Sequence, residues 1–180
     1  TVLDLLPPDL REGLGIHPVG RLDSDSTGAL LLTNDGDLTF QLTHPRHGIA
    51  KTYRVWVRGY LQPQTLAHWQ EGVEIEDDQG RVYVTQPAIV EVLHEEKKQT
   101  CLRIQMQEGR NRQIRRVAEA LGHPVQRLHR LAIGPVQLGH LPLGQWRRLS
   151  RYELNLLKNI ASGKVFTAAT SQKKRYSPPH

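Results

Sequence analysis

Apolar and polar positions change period several times along the chain, and each change marks an element. Val2 to Leu6 is a short apolar run stopped by Pro7 and Pro8. Ala29 to Leu32 is continuously apolar and predicts a buried strand, punctuated by Asn34-Asp35-Gly36. Leu38, Phe40 and Leu42 fall in a short segment of helical character before the His44-Pro45 break. From Tyr53 to Arg58 the period is two, with Tyr53, Val55 and Val57 on one face and Arg54, Trp56 and Arg58 on the other. Pro63 predicts the opening of a helix that carries Leu66 and Trp69. Val73 to Met106 reads as mostly strand. Its acidic cluster, Glu74, Glu76, Asp77 and Asp78, reads as a solvated edge turned away from any polyanion.

The strongest helix signal covers 111–121. Asn111 is placed to cap it, Gly122 to end it and Pro124 to prevent its continuation. Ile114, Val117, Ala118 and Leu121 make one apolar stripe, and Arg112, Arg115 and Arg116 lie on the opposite side. A strand over Arg127 to Ile133 and a helix over 151–160, packing Leu154 and Leu157, complete the folded part. The last stretch carries Lys164, Lys173, Lys174 and Arg175 without an acid, the composition of a disordered basic tail. The reading is one domain over 1–160 and a tail over 161–180. Strands and helices mixed without regular βαβ alternation predict an α+β fold around a mixed, mainly antiparallel sheet flanked by helices.

Charge narrows the partner. The 180 residues carry a net charge of +6, and the isoelectric point is near 9.7. That balance suits RNA, DNA or a membrane headgroup layer. Cys101 is the single cysteine, so no internal disulfide forms and a reducing compartment fits. Without a leader-like start or a span-length apolar run, the expectation is a soluble, cytoplasmic protein with no membrane partner. Histidines without zinc spacing and the lack of a P-loop or Gly-x-Gly-x-x-Gly predict neither a metal nor a nucleotide cofactor.

Three segments carry candidate chemistry. Gly20-Arg21-Leu22-Asp23-Ser24-Asp25-Ser26-Thr27-Gly28 presents a carboxylate in a glycine-flanked loop just before a rigid element, though either aspartate could simply cap a turn. Lys51-Thr52-Tyr53 starts the alternating strand, where Tyr53 is either a core aromatic or a stacking platform for a base. Glu108 to Arg116 clusters Arg110, Arg112, Arg115 and Arg116 at one helix start. This is either a solvated face, with Arg115 paired to Glu119, or a nucleic-acid surface continued by Arg127, Arg130, Arg147, Arg148 and Arg151.

Taken together, HPVGRLDSDSTGALLLTNDGDL, KTYRVWVRG and EGRNRQIRRVAEALGHPVQRLHRLAIGPVQLGHLPLGQWRRL resemble the RsuA/RluB/RluE/RluF-type ribosomal RNA pseudouridine synthases, in order, from about Thr1 to Leu149. The resemblance implies that family's sheet and a cleft across it. It implies isomerisation of a uridine in ribosomal RNA, large subunit favoured, by base flipping and nucleophilic attack by an aspartate, without a cofactor. Asp23 matches the catalytic aspartate, Tyr53 the tyrosine that packs on the target base, and Arg115 the basic residue paired with the carboxylate. Arg21 matches an arginine that helps hold RNA with its nucleotide extruded. Arg110, Arg112, Arg116 and Arg130 are the further expected RNA contacts. A monomer with no DNA partner is expected. Family members usually begin with a strand carrying an Asn-Lys-Pro-like motif, many after an S4 domain, and this sequence starts downstream of both. The rival readings are a non-catalytic RNA-binding protein and a nucleoside glycosidase.

Overall fold

The computed structural model describes residues 1–163, so the expected tail lies outside the described residues apart from 161–163. Pro8 opens a one-turn helix, α1 (Pro8–Arg11), because its missing N–H is one the first turn leaves unpaired anyway. Three two-residue strands follow: β1 (His17–Pro18), β2 (Thr27–Gly28) and β3 (Leu32–Thr33). The single buried strand expected over Ala29–Leu32 is therefore not formed. The backbone changes partner inside the run. Thr27 and Gly28 pair with His129 and Arg130, the Leu31 carbonyl accepts from the Val19 N–H at 2.8 Å, and Leu32 lies opposite Pro18. Only Ala29 of the run is buried. Each apolar side chain finds a different neighbour, which a one-dimensional run cannot distinguish from a single ladder.

Helix α2 (Gly36–Thr43) starts where the Asp35 carboxylate accepts the Leu38 N–H at 2.9 Å. Leu38 and Leu42, four apart, are buried, and Phe40 between them faces out. Strand β4 (Lys51–Arg58) buries Tyr53, Val55 and Val57, as the alternation predicts. Helix α3 (Pro63–Glu71) opens on its proline and buries Trp69. Strands β5 (Glu74–Glu76), β6 (Val82–Val84), β7 (Ile89–Glu96) and β8 (Gln99–Met106) fill the strand-like region. Helix α4 (Gln113–Ala120), β9 (Val125–Ile133), β10 (Val136–Gln137) and α5 (Arg151–Ala161) follow. The main sheet runs β10-β9-β4-β8-β7, with β2 also against β9. Among its described pairings only β2–β9 is parallel. This is the expected α+β architecture. No helix among the described residues is long and apolar enough to cross a membrane.

Helix α4 begins later than expected. Arg112, not Asn111, holds the cap position, in left-handed backbone (φ 50°) and without a side-chain cap bond. The reason lies in Gln113, which is buried. Its side-chain oxygen accepts the Arg110 N–H at 3.1 Å and its amide donates to Glu108 at 2.7 Å, so this one side chain ties the turn that a capping Asn would have closed.

Two apolar clusters result. One packs Trp69 of α3 and Ile114, Val117 and Ala118 of α4 on the inner face of β4, β7, β8 and β9. The other gathers Leu38 and Leu42 of α2 and Leu157 and Ala161 of α5 around Ile49, Ile133 and Val136. Helix α5 is anchored at its start: Ser150 and Glu153 form a reciprocal capping box, and Arg147 donates to Glu153 at 2.6 and 2.9 Å. The hydrogen bonds from Arg147, then that from the Ser150 backbone, pull the Glu153 carboxyl from 4.5 down to about 2. A carboxylate whose pKa falls on folding stabilises the fold above its unfolded value and loses that contribution as protons bind. Thermal denaturation should show the contribution intact above 4.5 and vanishing as pH falls towards about 2. In Glu153→Gln the dependence across that window should be shallower, and equal slopes in both proteins would contradict the linkage.

Candidate active site

Between the two clusters lies a cavity of about 260 Å³. One wall is the loop from Val19 to Asp23 with Ser26, and the facing wall runs from Gly109 to Arg115. The sheet contributes Lys51 and Tyr53 from β4, Met106 from β8, and Leu128 and Arg130 from β9. Of the expected site residues, Asp23, Tyr53, Arg115, Arg21, Arg110, Arg112 and Arg130 all line this one cavity. Arg116 does not. It leaves the other side of α4, donating to the Asn111 carbonyl at 3.2 Å and to the Glu76 carbonyl of β5 at 2.9 Å.

The two loop aspartates divide the possibilities between them. Asp25 is fully engaged. Arg112 grips its carboxylate through two bonds of 2.9 Å. Arg115 donates to its carbonyl at 2.8 Å and to Ser26 Oγ at 3.2 Å, with Nε 3.4 Å from the carboxylate. The hydrogen bond from Arg112 first, then the charges of Arg115 and Arg112, holds the Asp25 carboxyl below its ordinary range. Asp23 is the unencumbered one. Among the described residues its carboxylate has no hydrogen bond, and the nearest guanidinium is Arg112 Nη1 at 3.9 Å. The turn beneath is closed by the Ser26 N–H on the Asp23 carbonyl at 2.9 Å. The Asp23 carboxylate therefore stands on a tied loop, lining the cavity without capping the turn.

The expected Arg115–Asp23 pair is thus replaced by Arg115–Asp25, with Arg112 the guanidinium nearest Asp23. The side chain of Arg115 is only 13% exposed, and from α4 it meets the outer part of the loop, where the Asp25 carbonyl and carboxylate both lie. Pairing with Glu119 is not adopted either. Arg130, expected as an RNA contact, is buried: Nε donates to the Ala29 carbonyl at 2.7 Å and Nη1 to the Arg21 carbonyl at 3.2 Å. It fastens both ends of the Asp23 loop to β9, while its Nη2 is buried without a partner among the described residues. Arg110 bonds Glu108 at 3.0 Å and lies 4.0 Å over the Tyr83 ring. Tyr53 is 8% exposed, buried in the first cluster and bordering the cavity at once.

Sequence reasoning missed Lys51. It shares the inward side of β4 with Tyr53, two residues on, and its ammonium donates to the Ile49 carbonyl at 3.3 Å. Burial first, then the charge of Arg130, pushes its pKa below the ordinary lysine value. The alternation that turns Tyr53 inward, carried back two positions, is the signal that finds it. With Lys51 included, the cavity wall carries Arg21, Lys51, Arg110, Arg112, Arg115 and Arg130 against the carboxylate of Asp23. Such a wall concentrates positive charge around one carboxylate, an electrostatic setting that attracts anions.

The architecture is that of a pseudouridylate synthase. A crystal structure of a pseudouridylate synthase superimposes with a TM-score of 0.79 at 34% identity, over 87% of this chain and 65% of that one. A Cbf5-Nop10-Gar1 complex, at 17% identity and a TM-score of 0.51, shares the fold alone. The model of the RNA pseudouridylate synthase family matches residues 3–120, and the chain belongs to that family. An uncharacterised RNA pseudouridine synthase of Aquifex aeolicus is 41% identical over 77% of this chain and 54% of its own length. The ribosomal large subunit pseudouridine synthase B of Bacillus subtilis is 39% identical over 81% of this chain and 59% of its own. The ribosomal small subunit pseudouridine synthase A of Vibrio parahaemolyticus is 36% identical over 80% of this chain and 60% of its own. The chain therefore spans somewhat more than half the length of these curated relatives.

Proposed function

We propose that this chain isomerises a uridine in RNA to pseudouridine, with Asp23 as the nucleophile. The observation that carries this reading is the free carboxylate of Asp23 in the same cavity as Tyr53, beside an Asp25 already consumed by Arg112 and Arg115. The target nucleotide must first leave its stack, at a cost of a few kcal/mol. Arg21 and Arg112, at the cavity wall, offset that cost by holding phosphates. The Asp23 carboxylate then attacks the ribose or the uracil, and the bond from C1′ to N1 breaks. The uracil turns against the Tyr53 ring, C1′ joins C5, the bond between the Asp23 oxygen and carbon breaks to return the carboxylate, the C5 proton leaves and N1 gains one. The net change is an isomerisation that needs no oxidant and loses no atom, so retention of the detached base is what the cavity must ensure.

Ribosomal RNA is the substrate we favour, because two of the relatives are named for ribosomal subunits. The large subunit comes first, on the B-type relative's slightly higher identity. Chemical mapping of pseudouridine in ribosomal RNA, from cells with and without the protein, tests both levels at once. One missing site in the large subunit is the expected result. An unchanged map in every RNA would end the reading, and release of free uracil would favour a glycosidase.

In this reading Arg115 positions the reactive loop through Asp25 and Ser26 instead of pairing with Asp23. Arg115→Met should lose about tenfold to a hundredfold in kcat, roughly 1.4–2.8 kcal/mol. The apolar stem remains to fill its place, so the melting temperature should stay close to that of the parent. A global unfolding of the variant would make Arg115 a purely structural residue.

A further inference from the structure

The outward face of the central strands takes no part in the cavity. On β4, Arg54, Trp56 and Arg58 alternate away from the buried side. In register, Arg54 lies between Arg103 of β8 and His129 of β9, and Trp56 between Cys101 and Arg127. The Arg127 guanidinium stacks 3.5 Å from the centre of the Trp56 ring. Arg103 meets Glu91 of β7 at 3.7 Å. Arg54, Arg58 and Arg127 have no carboxylate within ion-pair distance among the described residues. Glu91 and Glu96, on β7, border the strip on one side and confine it to β8, β4 and β9.

Like charges set directly opposite one another across strands destabilise a sheet. Arg54 and Arg103 stand directly opposite one another on β4 and β8, and Glu91 relieves that repulsion on the Arg103 side alone. An anion on that face would offset it. Burial, then the charges of Arg54 and Arg127, pushes the His129 pKa below its ordinary value, so the strip already resists a further positive charge. The strip also leads towards the cavity. Thr27 Oγ lies 2.7 Å from His129 Nδ1, and Thr27 directly follows Ser26 of the cavity wall. The short β2 strand at the sheet's margin thus joins the two faces.

We propose that this outward strip is a second RNA-binding surface, on which Arg54, Arg58 and Arg127 hold the sugar-phosphate backbone that leaves the cavity across β2. The proposal rests on RNA being the partner, and it extends that reading to a face opposite the reactive one. The planar fork of arginine suits phosphate. The stacking of Arg127 on Trp56 orients one fork before any ligand arrives, which reduces the ordering cost of binding.

The test is RNA affinity as a function of salt, with an in vitro transcript of bacterial large-subunit ribosomal RNA as the probe. Arg54→Gln/Arg127→Gln should bind about tenfold more weakly near physiological salt. Its slope of log K against log salt should be shallower by about 0.7–0.9 for each phosphate that is no longer neutralised. A control with the same reduction of charge elsewhere, Arg11→Gln/Arg81→Gln, at exposed arginines outside both the cavity and the strip, should stay within about twofold. Arg54→Lys/Arg127→Lys should recover the salt slope and part of the affinity, since charge returns without the stacked fork, which separates the effect of charge from that of a damaged sheet. Isomerisation at saturating RNA should persist in the Gln variant with a raised KM. If affinity and slope are unchanged, or if the control weakens equally, the surface is overturned. A chain that makes no pseudouridine but still loses affinity in the Gln variant alone would end the proposed activity and support the surface.

Discussion

Asp23→Asn is expected to produce no measurable pseudouridine while binding RNA as tightly as the parent chain. The amide keeps the size and shape of the carboxylate but has no negative oxygen to attack with. Loss of a nucleophile of this kind leaves a rate below roughly 10⁻³ of the starting value. The substitution is also structurally mild. The Asp23 side chain is 33% exposed, and its nearest cation is 3.9 Å away. The loop beneath it is held by backbone and by Asp25, neither of which the change touches. Its thermal midpoint should therefore move by no more than about 2 °C, in keeping with a surface substitution. Turnover near that of the parent would assign the chemistry to another residue. The same change at Asp25 should behave differently, loosening the turn by breaking the Arg112 grip.

The second large effect concerns Gly28. Its φ is +117°, a conformation open to glycine, and a Cβ there would meet the Arg130 carbonyl oxygen at 2.3 Å and the Arg130 nitrogen at 2.4 Å. Both atoms are backbone in the middle of the sheet, so neither can step aside. Gly28→Ala should cost about 3 kcal/mol or more, from backbone strain together with the clash. For a domain of this length that corresponds to a melting temperature lower by roughly 6–12 °C. Activity should fall further than stability, because β2 anchors the Asp23 loop to β9. Urea unfolding and a pseudouridine assay on the same preparation would check both. A variant as stable as the parent would mean that β2 does not pair as described.

Much of the fold was legible because local pattern and tertiary burial agreed. The two-residue alternation of Tyr53–Arg58 became the central strand with the same residues inward. The apolar stripe of Ile114, Val117 and Ala118 became the buried face of α4. Pro63 opened α3, and Leu157 of the predicted last helix is fully buried. Where pattern and environment parted, the reading failed. The apolar run Ala29–Leu32 changes partners inside four residues, and the start of α4 moved because a buried Gln113 took over the turn.

The candidate site was legible as a set of residue types more than as a set of pairs. Asp23, Tyr53, Arg115, Arg21 and the arginine string were picked out by motif, and nearly all of them line one cavity. Residue identities and the periods of two and 3.6 are local properties, carried by neighbours along the chain, so the amino-acid order specified the elements, the basic character and the choice of carboxylates to suspect. Which carboxylate stays free, which arginine it faces, and that Arg130 is a buried brace follow from contacts spanning about a hundred residues. Those distances exist only once β2 has docked on β9 and α4 has packed on the sheet, because a hydrogen bond selects its partner by position and angle in space, and spacing along the chain encodes neither.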